Sequence, residues 1–250
     1  MTAEDMEVLT PDWPAPANVR AAFTLRTGGV SAAPFDSLNV GAHVGDLRAA
    51  VAENRHRIRA ALGLPAEPVW LEQVHGTRAV ELDAATDPAT TADAIVTRRP
   101  GTVCVVQVAD CLPVLFAAAD GSAVAAAHAG WRGLAAGVLE AAVARLGVDP
   151  ARLLAWLGPA IGAAHFEVGA EVRAAFIAAD AGAADAFAEN SRGRWQCDLT
   201  ALARRRLAAL GVKHVFGGCW CTYTDAARFF SYRRDGRCGR MAALIWLRHG

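Results

Sequence analysis

Lysine is almost missing from this 250-residue chain: Lys213 stands alone, and every other basic position is arginine. A Schiff-base mechanism therefore has one candidate, outside the motifs described below. Apolar residues make up 54% of the chain, yet no uncharged apolar run reaches the ~18 residues of a membrane span. The excess is mostly alanine in short runs broken by Gly, Pro and Asp. The N-terminal stretch MTAEDMEVLTPDWPAPANV lacks a basic segment followed by an apolar one, so no export signal is expected and the expected location is cytoplasmic. Formal net charge is zero, which supplies neither the field for non-specific nucleic-acid binding nor a polybasic membrane anchor. The six cysteines form no CxxC pair, which argues against a zinc ribbon or thioredoxin-like chemistry. Seven histidines without an H-x-H pair argue against multicopper oxidation. Cys219-Trp-Cys221 is a CxC on one face of a strand, read as packing rather than metal binding.

With no repeat, low-complexity linker or clean boundary, one domain over residues 1–250 is expected; residues 84–93 are the most loop-like stretch. The first forty residues read as strand and turn. Asp46 is expected to cap a helix through Leu62, ended by Gly63 and Pro65. Val69–Gly76, AIVT and TVCVVQV are β-rich, and two apolar runs flank Asp120-Gly121, a strong hairpin signal. Helices are expected at Gly133–Leu146, Gly169–Ala179 and Asp198–Leu210, with strands at LLAWLG, HVFGG and AALIWL. This mixture of hairpins and helices points to an α+β or mixed α/β domain rather than a doubly wound parallel sheet.

If Asp120 and Gly121 form the hairpin loop, Ala119 faces Ser122, and counting down the ladder sets His128 opposite Pro113 and Cys111 opposite Gly130. Cys111 and His128 then emerge at one end of one hairpin. His75, closing the run from Val69 with Gly76 leaving space beside it, is the candidate third partner. Singly, a histidine at a strand end is satisfied by backbone and a cysteine in an apolar run is packing. Together, two imidazoles and a thiolate suit Zn2+ and leave its fourth position open for water or substrate. Arg132, ahead of a helix starting near Gly133, is a candidate anion binder.

QVHG (73–76), ADCLPVLF (109–116), HAGWRG (128–133), LGPAIG and FEVG (157–169), FFSYRRDG and GRMAALIWL resemble the bacterial laccase-domain family of polyphenol-oxidase-like purine nucleoside phosphorylases. RTGGVS (26–31) and LNVGAHVGD (38–46) extend the similarity over nearly the whole chain; Cys238, where a threonine is expected, and the looser CTYTDAARFF depart from the pattern. The resemblance implies a single-domain, layered αββα α+β sandwich with mixed sheets. It also implies a zinc held by His75, Cys111 and His128. The implied activities are phosphorolysis of adenosine, inosine and S-methyl-5′-thioadenosine, with adenosine deaminase as a side activity; some members resemble peptidoglycan editing factors. The expected partners are purine nucleosides and phosphate, with a monomer as the expected state. Arg26, Arg132 and Arg233 are candidates for the anion and Asn39 and Ser231 for ribose or base. Asp110, beside the cysteine, is a candidate to orient a histidine or move protons. Two rival readings remain: a hydrolase using Cys111 as nucleophile and His128 as base, and a non-catalytic zinc-stabilised nucleotide-binding protein.

Overall fold

A computed structural model describes residues 6–82 and 90–249. The first half contains β1 (Val8–Leu9), β2 (Val19–Thr24), α1 (Arg48–Leu62), β3 (Ala79–Glu81), β4 (Ala94–Thr97), β5 (Val103–Val108), β6 (Leu112–Ala118) and β7 (Val124–Ala129). Then follow α2 (Trp131–Ala136), α3 (Val138–Leu146), β8 (Leu153–Leu157), β9 (Glu167–Val168), α4 (Ala170–Ile177), β10 (Phe187–Glu189), β11 (Trp195–Cys197), α5 (Leu199–Ala209), β12 (His214–Gly217), α6 (Tyr232–Asp235) and β13 (Met241–Leu247).

Successive side chains of a strand point to opposite faces, so one apolar strand can serve two cores. In β13, Met241, Ala243 and Ile245 enter one core while Ala242, Leu244 and Trp246 enter another. β5 divides likewise, with Cys104 and Val106 on one side and Val103 and Val105 on the other. Their sheet, ordered β1-β2-β13-β5, is covered on its outer face by Ile58 and Leu62 of α1. A six-stranded sheet, β12-β8-β6-β7-β4-β3, sends Ile95, Leu115 and Trp156 into the core between the sheets. Its opposite face sends Val96, Phe116 and Ala155 against Leu139 of α3, Val172 of α4 and Leu202 of α5. The layering is helix, sheet, sheet, helix, the αββα sandwich expected from the motifs. Parallel pairs at β3–β4 and β8–β12 make the larger sheet mixed.

Three local expectations are corrected. The helix expected at Gly133–Leu146 is two helices, because Gly137 adopts a φ of 106° between α2 and α3. Asp46 does not cap α1: its carboxylate accepts from the Leu47 N–H, the Ser31 hydroxyl and the Asn39 amide. Val69–Gly76 forms no strand beyond an isolated bridge at Glu72. The reason is that Gln73 pairs with β5 through its side chain, accepting from Gln107 N at 2.7 Å and donating to Gln107 O at 2.9 Å. Part of the loop-like stretch, residues 84–89, lies outside the described residues.

Asn54 joins α1 to the loops before it. Its side chain is fully buried and fully bonded, accepting from Val30 N and donating to Ser31 Oγ and the carbonyls of Ser37 and Asn39. Asn54→Leu leaves these groups unpaired, and chemical denaturation is expected to show a loss of about 2–4 kcal/mol; a loss below ~0.5 kcal/mol would mean that water replaces every bond. Among the described residues no helix is long and apolar enough to cross a membrane.

Candidate metal centre and cleft

The hairpin has the register expected from Asp120-Gly121: Pro113 pairs with His128, and Ala118 N donates to Ala123 O around the turn. Cys111 stands one residue before β6 and His128 one residue before the end of β7, so the ladder brings them to one edge. His75 arrives from the loop that Gln73 clamps to β5. The ligand atoms of His75, Cys111 and His128 all lie within 4.8 Å of one another. Cys111 Sγ is 3.7 Å from His75 Nε2, and the two imidazoles meet edge to face with centroids 4.7 Å apart. Among the described residues this is the single group of three or more histidine, cysteine or acidic side chains arranged to hold a metal ion.

Asp93 organises the trio, a role that sequence reasoning missed. Its side chain is completely buried, and Oδ1 stands 2.8 Å from His128 Nδ1. The same carboxylate accepts from the N–H groups of Val74, His75 and Gly76. Three successive N–H groups converging on one anion form a nest, which explains why His75 tolerates a φ of 61°. With Nδ1 given to Asp93, His128 is left with Nε2 for a metal. The histidine-orienting role considered for Asp110 thus belongs to Asp93. Asp110 instead accepts from Thr222 Oγ1 at 2.6 Å and from Arg233 N at 2.7 Å.

The glycines of HAGWRG are spatial requirements. A Cβ on Gly130 would stand 2.8 Å from His75 Cδ2 and 2.9 Å from Cys111 Sγ; one on Gly133 would stand 2.8 Å from Gly76 O. Burial pushes the Cys111 thiol up, but the His128 and His75 imidazoles outweigh it and bring the pKa well below the ordinary thiol value. Burial opposes a charge on His128, yet Cys111 and the Asp93 carboxylate hold its pKa above the usual imidazole range. The pair favours thiolate, the form that ligates metals.

A cleft of about 520 Å3 opens over these residues, within the ~300–1,000 Å3 range of small-molecule sites. Trp131, Phe166 and Tyr232 give it aromatic walls, and Arg132, Arg233 and Arg240 give it cationic ones. Among the described residues its one lining carboxylate, Asp110, has both oxygens engaged as described, so the cleft favours an anion. Arg132 stacks on Trp131 at 4.5 Å, and Arg233 Nη1 is held by the Glu167 carbonyl at 3.0 Å. Arg240 escaped the sequence reading.

Three proposed substrate residues lie elsewhere. Arg26 bonds the carbonyls of Asp36 and Ala226 and pairs with the Asp36 carboxylate, bracing two loops. Asn39 is fully buried, with its amide on Gly41, Asp46 and Arg240 N. Ser231 is buried too and caps α6 by accepting from Arg234 N. None of the three lines the cleft. Their polarity serves backbone groups of the loops around the cleft, a use that sequence cannot separate from ligand binding. Cys221 Sγ accepts from Gly162 N at 3.2 Å, and the CxC contributes to no metal-ligating group among the described residues.

Residues 20–248 match the family described as multi-copper polyphenol oxidoreductase laccase. The chain is 58% identical over 240 residues to a Pseudomonas aeruginosa protein named purine nucleoside phosphorylase, covering 96% of this chain and 98% of that one. It is 54% identical to purine nucleoside phosphorylase YfiH of Escherichia coli, covering 96% and 99%. A crystal structure of a Neisseria meningitidis protein superposes with a TM-score of 0.92 at 49% identity, over 97% of this chain and 99% of that one. Matched by the family model over residues 20–248 and by relatives of more than half identity along nearly their whole length, the chain belongs to this laccase-like family.

Proposed function

We propose that the cleft performs phosphorolysis of purine nucleosides, adenosine, inosine and S-methyl-5′-thioadenosine among them, with adenosine deamination as a side activity, at a zinc centre formed by His75, Cys111 and His128. The observation that carries the reading is the convergence of three ligand atoms at the floor of a cleft walled by aromatic faces and arginines. The donor set fits zinc: at ordinary Zn–S and Zn–N lengths, a sulfur and a nitrogen on one tetrahedral ion stand about 3.6 Å apart, against 3.7 Å for Cys111 Sγ and His75 Nε2. Zinc held there would supply Lewis-acid polarisation of whatever enters the cleft. Names borne by relatives support the phosphorylase reading, whereas the copper in the family's description finds no paired histidines here.

The chain's own groups carry the rest. Arg132 and Arg233 bind the phosphate, and Asp110, by fixing Arg233 N, is a positioning residue for that charge. Trp131, Phe166 and Tyr232 offer faces against which a purine can lie and exclude water from the ribosyl bond. Chromatography of products from adenosine, with and without phosphate, tests the reading. Adenine and ribose 1-phosphate formed only with phosphate support phosphorolysis, inosine reveals deamination, and no conversion by folded, zinc-loaded protein overturns the proposal. Cys111→Ala is expected to lower kcat/KM about 1,000-fold, the scale of several kcal/mol of lost Lewis-acid stabilisation; full turnover by folded, metal-free variant excludes the metal mechanism.

A second reading has its own observation: Cys111, His128 and Asp93 also stand as nucleophile, base and orienting acid, the arrangement of a cysteine hydrolase that could act on an amide such as a cell-wall precursor. Alkylation separates the two. Under the metal reading, zinc protects Cys111 from iodoacetamide and chelation exposes it; stoichiometric alkylation without loss of metal favours the hydrolase. Nucleoside binding without turnover across a wide panel would favour a binding protein.

A further inference from the structure

One residue lining the cleft carries a buried polar atom with no partner among the described residues. Gln107, the penultimate residue of β5, is only 7% exposed and lines the cleft, and its Oε1 is fully buried with no hydrogen-bond partner among the described residues. Burying an amide oxygen unpaired is unfavourable, and a methionine would fill similar space without that cost. Neighbouring polar groups are engaged: both ends of the Gln73 amide bond the Gln107 backbone, and both Asp110 oxygens are taken. These bonds, with the pairing of Gln107 to Ala242 on β13, fix the backbone from which the amide extends.

We infer that Gln107 is a specificity-determining residue that reads the edge of the purine at its 6-position; the inference rests on the phosphorylase reading above. A primary carboxamide offers an acceptor beside a donor. On its N1 side adenine presents an amino donor beside a ring-nitrogen acceptor. Hypoxanthine presents the reverse on that side, its 6-carbonyl acceptor beside N1–H, and a half-turn of the amide meets it equally well. One uncharged residue therefore accepts 6-amino and 6-oxo purines alike. A purine without a 6-substituent satisfies only half of the amide.

The test compares kcat/KM for adenosine, inosine and unsubstituted purine riboside at saturating phosphate in zinc-loaded wild type and Gln107→Met. Wild type is expected to favour both 6-substituted nucleosides by about 10-fold or more. Gln107→Met is expected to lose most of that preference through KM, with a melting temperature no lower than wild type. An unchanged preference in the variant, or an equal loss on all three substrates, overturns the inference while leaving phosphorolysis intact. Wild type inactive on all three overturns the function and the inference with it. Calorimetric titration of wild type with adenine, hypoxanthine and purine needs no variant: purine should bind about 10-fold more weakly than either, and equal affinities overturn the inference.

Discussion

Asp93→Ala should lower metal affinity by about 10- to 100-fold, the usual consequence of removing a carboxylate that holds a ligating histidine, and should cost about 3–5 kcal/mol of stability. Both effects come from one group. The carboxylate fixes His128 through Nδ1 and gathers the N–H groups of Val74, His75 and Gly76, so its loss frees one imidazole and unties the loop carrying the other. Asp93→Asn divides the two roles. It keeps an acceptor for the loop but loses the charge, so affinity should fall more than stability. Zinc titration against a competing chelator, with urea denaturation of the metal-free proteins, measures each quantity. Metal affinity within twofold of wild type in Asp93→Ala would show that His128 is oriented by something else.

Gly130→Ala should abolish tight metal binding while leaving the fold nearly intact. The backbone there has φ −64° and ψ 159°, which alanine adopts without strain, so any loss is steric. The new methyl would stand 2.8 Å from the His75 ring and 2.9 Å from Cys111 Sγ, closer than real Cβ contacts allow. Separating those two side chains breaks the tetrahedral spacing, and a loss of more than ~100-fold in metal affinity is expected, against about 1–3 kcal/mol in stability. Wild-type affinity in this variant would mean that the trio does not close on a common ion.

How much of this was legible in the sequence depended on the range over which each signal acts. The β6–β7 hairpin could be read because Asp120-Gly121 fixes a register locally, and register alone carries Cys111 and His128 to one edge. Asp93 could not: its partners stand between 17 and 35 positions away, and three of the four are backbone groups with no residue signature. Gln73 defeated the strand reading for a related reason, since a side chain substituting for a neighbouring strand leaves no alternation to detect. Arg26, Asn39 and Ser231 show the opposite limit: they sit in the motifs, and the structure engages their polar groups with loop backbones, a use with no residue signature of its own. Gly137 breaks a helix whose apolar pattern continues across it.

The chain steps from β5, in the four-stranded sheet, to β6, in the six-stranded one, through Ala109, Asp110 and Cys111 alone, with Asp110 turning the corner at a φ of 83°. Cys111 rides on that corner, His128 belongs to the larger sheet, and His75 is pinned to the smaller one by Gln73. An ion shared by the three would therefore be a rivet across the seam of the sandwich, and losing it should let the two sheets breathe at that end first. Amide hydrogen exchange after chelation should quicken at the end of β5 and the start of β6, while β2 and the middle of β13 keep their protection.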